Sequence, residues 1–422
     1  MMEMKDKLEK VVAKIEEELQ STFMQRGKVS EANQRKVLKA FRDHEVSEYH
    51  FHGSTGYGYD DIGRETLEKI YAQVFGGESA IVRPQIVSGT HAISTALFGV
   101  LRPGDELLYI TGKPYDTLEE VIGVRGNKNI GSLADLGVTY QYVPLKNDEI
   151  DFKNVKRMIH ENTKIIGIQR SKGYENRPSF TIKQMQEMIN YVKEINPELI
   201  VFVDNCYGEF VELEEPNQVG ADIVAGSLIK NPGGGLVKTG GYIVGKEHYI
   251  QLCAARLTAP GIGLKGGASL HSLLEMFQGL FLAPHVVNQA LKGALFTAKF
   301  LSHIGMETSP SWTDERTDLI QSVSFPSRET MIAFCQAIQA NSPVDAHVKP
   351  QPSYMPGYED DVIMAAGTFI QGASIELTAD GPIRPPYTAY VQGGLTYEHV
   401  KICVTDAVYS LIKNNLFELN LK

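Results

Sequence analysis

Residues 221–241 read ADIVAGSLIKNPGGGLVKTGG, an apolar run that ends in Ser227 and Lys230 and then opens into glycines. The run predicts a buried strand, and the turn behind it holds one lysine inside a crevice. Enclosure among apolar residues disfavours the charged form of a lysine, and a neutral amine attacks carbonyls, so Lys230 is a candidate Schiff-base lysine. A solitary lysine at a strand end is more commonly just solvated. What singles out Lys230 is the set of residues found at other strand ends.

Outward from this stretch, short apolar strands alternate with helices from about Ile81. Candidate strands are 107–110, 139–143, 164–168, 199–203, 223–225 and 242–244, with helices such as 90–101 and 182–195 between them. This alternation predicts an α/β fold with a mainly parallel sheet, whose ligands bind beyond the carboxyl ends of the strands. After about Pro284 the texture changes to a long helix over 286–303, a mixed segment 319–339, a Pro/Gly/Tyr-rich loop 347–358 and a final helix 397–414. That is the pattern of a smaller α+β domain. At the amino end, Leu8, Val11, Val12, Ile15 and Leu19 repeat at helical spacing, so the first twenty residues form an amphipathic helix. The expected organisation is an N-terminal helical segment (1–50), a large domain (51–285) and a C-terminal small domain (286–422).

Composition narrows the function classes. The chain has 422 residues, 43% of them hydrophobic, and 41 Lys and Arg against 51 Asp and Glu give a net charge of −10. Nothing in that balance suggests nucleic acid or a membrane surface as partner. The four cysteines, Cys206, Cys253, Cys335 and Cys403, lie far apart without C-x-x-C spacing, so neither a disulfide framework nor a zinc site is indicated. His50 and His52 alternate as a metal pair would, but nearby sequence suggests no further ligand. The N-terminus lacks the apolar core of a signal peptide, and no stretch reaches the length of a membrane span, so a cytoplasmic location is expected.

Four pieces fall at strand ends. Ser88, Gly89 and Thr90 sit between an apolar strand and an Ala-rich helix, where backbone N–H groups and hydroxyls suit a phosphate, although Ser is equally an ordinary helix cap. Tyr115 follows the strand 107–110, where a ring could stack on a flat cofactor. Asp204 directly follows LIVFV, and a buried carboxylate needs a cationic partner. Ser227 and Lys230 come one βα unit later. Pyridoxal phosphate (PLP) needs a lysine for the imine, an acid for the ring nitrogen, an aromatic stacking surface and a phosphate cup. Together, their order and spacing are far more specific than any single piece.

The set SGT at 88–90, YDT at 115–117, VDN at 203–205 and SLIK at 227–230 resembles the fold-type-I PLP-dependent enzymes, and within them the cystathionine β-lyase and methionine γ-lyase group. GYGYDDIGRETLE, QRSKGYENRPS and LIKNPGGGLVKTGGYIVG resemble the branch known as methionine γ-lyase-like or aluminium-resistance proteins. The resemblance covers most of the chain from about residue 50. It implies the PLP-dependent transferase fold and a homotetramer, a dimer of dimers in which each active site is completed by a neighbour. It implies Lys230 as the Schiff-base lysine, Asp204 as partner of the pyridine nitrogen, Tyr115 as the stacking ring, and Ser88, Gly89, Thr90 and Ser227 as the phosphate cup. Tyr57 and Tyr59 fall where the family sends a Tyr and an Arg into the neighbouring subunit; the arginine is missing, with Arg64 close by. The family's arginine for the substrate carboxylate falls at Tyr390, which leaves Arg384, in GPIRPP, as the residue available for that role. The family's asparagine beside the cofactor oxygen has no clear match within 171–176. The activity implied is carbon–sulfur cleavage of a sulfur-containing amino acid to thiol, 2-oxo acid and ammonia, with Lys230 removing the Cα proton.

Other readings use the same residues. An aldolase or an aminotransferase shares these cofactor parts, because fold does not fix function. A PLP-binding protein without catalysis fits the two unmatched family positions. A nucleotide-binding loop at GGGLVKT is disfavoured, since such a loop needs glycine directly before its Lys-Thr and Val237 stands there. Gly233–Gly235 are expected instead to form a flexible turn that passes close to a cofactor or a neighbouring subunit.

Overall fold

The structure is a computed structural model and describes residues 2–355 and 358–418. Pro356 and Gly357 of the expected loop 347–358, and residues 419–422 of the expected small domain, lie outside the described residues.

The large sheet has seven strands: β1 (Ser79–Arg83), β2 (Glu106–Tyr109), β3 (Thr139–Tyr142), β4 (Thr163–Gln169), β5 (Ile200–Asp204), β6 (Ile223–Ser227) and β7 (Gly241–Gly245), in the order β1-β7-β6-β5-β4-β2-β3. The pairs among β6, β5, β4, β2 and β3 are parallel, and β7 runs antiparallel to both of its neighbours. The expected strands are therefore present, shifted by a residue or two. β5, β6 and β7 are buried along their whole length, which is why they read as unbroken apolar runs rather than as alternation. Helices cover both faces. α1 (Met2–Asp43), α2 (Ile62–Phe75), α6 (Ile182–Ile195) and the first part of α8 (Leu273–His303) contribute to the core on one face; α3 (Gly89–Val100), α4 (Asp116–Ile122) and α7 (Glu247–Leu257) contribute to the other. α5 (Phe152–Met158) links β3 to β4.

A second, antiparallel sheet follows: β8 (Glu307–Ser309), β9 (Gln321–Ser324), β10 (Val362–Ala365), β11 (Thr378–Pro382) and β12 (Thr388–Gln392), ordered β10-β11-β12-β9-β8. α9 (Arg328–Ala340) and α10 (Tyr397–Lys413) pack on one face, where Val323, Ala379, Ala389 and Val391 join their core. The alternate residues Ser322, Thr378, Asp380, Tyr390 and Gln392 take the opposite face of that sheet.

Two helices run longer than the sequence pattern predicts. α1 extends past residue 20 to Asp43, so that Leu8, Val11, Ile15 and Leu19 enter the small core while Val37 and Ala40 enter the large one. α8 begins at Leu273 and passes through Pro284, which reads as a stop because proline removes a helix donor. At that interruption the Phe281 and Pro284 carbonyls accept hydrogen bonds from Gln34 and Ser30 of α1. No helix among the described residues is long and apolar enough to cross a membrane.

Candidate active site

The carboxyl ends of β1, β4, β5 and β6 all reach one edge of the large sheet, and a cavity of about 290 Å³ lies against that edge. Ser88, Gly89, Thr90, Tyr115, Asp204, Ser227 and Lys230 all line it. Residues separated by up to 142 positions thus meet where the sheet topology predicts a ligand.

Each is held by an identifiable local cause. Ser88 caps α3, its hydroxyl accepting from the His91 N–H at 3.0 Å. At Gly89 a Cβ would lie 3.2 Å from Cys206 Sγ and 3.3 Å from the Ser227 Cβ, so glycine lets the first turn of α3 approach the ends of β5 and β6. The Tyr115 hydroxyl donates to Thr90 Oγ1 at 2.8 Å, and the Tyr115 N–H donates to Gln169 Oε1 at 2.8 Å. Asp204 ends β5, is buried, and accepts from the Cys206 N–H at 3.1 Å. Lys230 places its Nζ 3.9 Å from the centre of the Tyr207 ring. Tyr207 has φ 74°, a left-handed backbone that a bulky residue adopts only when its surroundings hold it there. Those surroundings are the buried Arg170, which donates to Asn205 Oδ1 and Glu212 Oε1 at 2.8 and 2.9 Å, and Asn205, which donates to Glu215 at 2.9 Å.

The electrostatics correct one expectation. Burial pushes the Lys230 amine toward neutrality, as the sequence argument holds, but Cys206, Tyr207 and Asp204 outweigh it and leave the group above the ordinary lysine range. Burial raises the Asp204 carboxyl, with Lys230 and Arg177 among the opposing influences. The Tyr115 phenol is raised by burial and by Asp204, so it keeps its proton at neutral pH.

Other predicted residues stand elsewhere. Tyr57 and Tyr59 are exposed, 77% and 52%, and stack on each other with ring centres 5.4 Å apart, outside the cavity. Arg64 does not take the missing arginine's place: it is buried and donates to the carbonyls of Gly58, Gly267 and Lys265. Arg384 does not line the cavity; it is ion-paired to Asp360 at 3.2 Å in an exposed turn. Gly233–Gly235 do not line the cavity. A Cβ at Gly233 would meet the Leu228 carbonyl and one at Gly234 the Gly279 carbonyl, so this turn is packed against α8 within the subunit. Lys238 points outward and pairs with Glu275.

Sequence reasoning missed Gln169, Tyr174, Tyr207 and Tyr358, which also line the cavity, and Asp380 behind them. Gln169 was legible as the last residue of a buried strand. Tyr174 and Tyr207 follow the strand ends of β4 and β5 and were legible by position, whereas Tyr358 comes from a distant loop and carried no such signal. The donor set fits pyridoxal phosphate: helix-start hydroxyls and N–H groups for phosphate, a protonated phenol, a buried carboxylate for a protonated ring nitrogen, and an amine for the aldehyde.

Comparison with known proteins agrees. A family model described as methionine gamma-lyase matches residues 8–412. The uncharacterised protein YnbB of Bacillus subtilis (strain 168) is 66% identical over 410 residues, 97% of each chain. A Listeria monocytogenes structure, assigned provisionally as a cystathionine beta-lyase involved in aluminum resistance, superposes with a TM-score of 0.94 at 64% identity, covering 95% of this chain and 99% of that one. The fold alone is shared with the pyridoxal-5'-phosphate-dependent protein YhfS of Escherichia coli, at a TM-score of 0.60 and 18% identity over 90% of this chain and 96% of that one. By the extent of the family match and of its nearly full-length relatives, this chain belongs to the methionine gamma-lyase family.

Proposed function

We propose that the chain is a PLP-dependent carbon–sulfur lyase that cleaves a thioether amino acid, with one water, to a thiol, a 2-oxo acid and ammonia. The observation that carries this reading is the meeting of Lys230, Asp204, Tyr115 and the Ser88–Thr90 helix start in one cavity. When bound, pyridoxal phosphate supplies an aldehyde for the substrate nitrogen and a ring that takes up electrons left at Cα. Ser88, Gly89, Thr90 and Ser227 would hold its phosphate, and Asp204 would answer the proton on its ring nitrogen. Lys230, whose Nζ lies over the Tyr207 ring in the same cavity, would take the Cα proton. The Tyr115 phenol, protonated and oriented by Thr90, is the donor available to the departing sulfur.

Two further roles belong to the same reading. Arg384 is assigned to the substrate carboxylate: it lies in the turn between β11 and β12, and its charge is felt at Asp116 of the cavity lining and at Tyr390. The exposed Tyr57 and Tyr59 pair supports an assembly, a homotetramer built as a dimer of dimers, in which they complete a neighbour's phosphate site. The test is a panel of thioether amino acids on cofactor-loaded protein, with thiol and 2-oxo acid measured together. Equal release of both supports the lyase. Protein that stays colourless after addition of pyridoxal phosphate would overturn the reading.

A further inference from the structure

Tyr207 follows closely on the end of β5, and its φ of 74° is one that a bulky side chain adopts only against resistance. The turn that carries it is fixed from several sides. The buried Arg170 passes so close to the next peptide that a Cβ at Gly208 would meet its guanidinium. The Gly208 N–H donates to the Asn205 carbonyl at 3.0 Å, and the Phe210 N–H donates to Glu215 Oε1 at 2.8 Å. A strained tyrosine held this firmly has its ring aimed by the fold. What it is aimed at is Lys230.

The Lys230 Nζ lies over the face of that ring, 3.9 Å from its centre. Both residues line the cavity and are largely enclosed. Burial works against positive charge on the nitrogen, and Cys206, Tyr207 and Asp204 work for it. The face of an aromatic ring is the negative side of its quadrupole, so a cation over it is stabilised, most strongly where water is excluded. The other titratable groups that share a field with Lys230 are Cys206 and Asp204 beside it, Tyr115 at the start of α4, Glu209 further along the Tyr207 turn, and Asp380 and Tyr358 from the small-domain side. Among the described residues, Tyr207 is the ring over which the nitrogen sits.

We propose that the face of the Tyr207 ring is an electrostatic seat for the Lys230 nitrogen, holding positive charge on it both as the free amine and when it is bonded to the cofactor aldehyde. The proposal rests on Lys230 as the cofactor lysine and adds a positioning residue to the lyase reading. The same face would receive the charge that Lys230 gains with the Cα proton. The test is a pH titration of the visible absorbance of cofactor-loaded protein, which follows protonation at the Lys230 nitrogen without any substrate. Tyr207→Phe keeps the face and removes the hydroxyl. Tyr207→Asn removes the face with a residue that accepts a left-handed backbone. Pentafluorophenylalanine at position 207 keeps the ring and reverses the charge of its face, and covers the case in which Tyr207→Asn misfolds.

The native and Tyr207→Phe proteins should titrate within about 0.3 pH of each other, and the Tyr207→Asn and pentafluoro proteins about one pH lower, a tenfold loss of proton affinity. A merely structural role would not order the proteins by the charge of the ring face. An equal fall in Tyr207→Phe and Tyr207→Asn would assign the effect to the hydroxyl, and equal midpoints in all of them would leave the ring without influence; either result overturns the proposal. Shifted midpoints without thiol release defeat the lyase and leave the seat standing. Protein that takes up no cofactor defeats the lyase reading too, and the seat is then tested on the unloaded chain by acetic anhydride, with the modified lysine located by peptide mass spectrometry. At one fixed pH, Lys230 should be acetylated about tenfold faster in the pentafluoro protein than in Tyr207→Phe, and equal rates would overturn the proposal.

Discussion

The two walls of the cavity are built differently. The large-domain wall consists of strand ends and helix starts: Asp204 and Ser227 close β5 and β6, Ser88 caps α3, and Tyr115 opens α4. The small-domain wall is one face of an antiparallel sheet, with Asp380 and Tyr390 paired across it and Tyr174 and Tyr358 brought in from loops. The first wall is fixed by the parallel sheet and suits a cofactor. The second is fixed by packing between domains and suits a substrate.

The largest test of the first wall is Lys230→Ala, which should lower thiol release about a thousandfold or more, the scale of a lost general base, with an unchanged circular dichroism spectrum. Comparable turnover would remove Lys230 from the chemistry. Asp204→Asn keeps an acceptor for the Cys206 N–H but loses the charge, and a decrease of about a hundredfold in kcat is expected. A rate within a factor of two of native would mean that the ring nitrogen needs no anion.

Beside the second wall the expected effects are smaller and fall on binding. Arg384→Gln should raise KM about tenfold while kcat stays within a factor of about two, as for loss of a uniform binding contact. An unchanged KM would leave Arg384 as the partner of Asp360 and nothing more.

The smallest expected effect concerns what lies beneath the large-domain wall. Glu209 is fully buried, accepts from the Tyr242 hydroxyl at 2.8 Å, and has its carboxyl pushed up to about 8 from an ordinary 4.5, mainly by burial. Between those values the folded chain keeps a proton that the unfolded chain has lost. Its stabilising contribution is therefore complete below the ordinary value and is lost as pH rises through about 8. Glu209→Gln, which resembles the protonated form, should lose less thermal stability than the native chain between about pH 5 and about pH 8. Parallel melting curves for the two proteins would show that Glu209 does not titrate in this range.

The difference between the walls also explains what the sequence could and could not tell. Lys230, Asp204, Ser227 and Ser88 were legible because each ends an apolar strand or starts a helix, and a parallel sheet sends such ends to a single edge. The long α8 was hidden by Pro284, whose usual meaning is a stop, and the polar middle of α1 hid that helix's full length. Burial alone does not set the charge of Lys230, because Cys206, Tyr207 and Asp204 lie beside it, and no local pattern announces that the first two reach its amine. Asp380 and Tyr358 gave no local pattern. They meet only when two domains pack, which no strand period or motif spacing encodes.

Everything proposed for this cavity depends on Lys230 as the residue that would hold the cofactor. Loading the protein with pyridoxal phosphate, reducing it with borohydride and locating the modified residue by peptide mass spectrometry tests this most directly. A single pyridoxyl group on Lys230, absent from the Lys230→Ala protein, is the predicted result. Modification of another lysine such as Lys172 or Lys238, or no stable adduct at all, would contradict it.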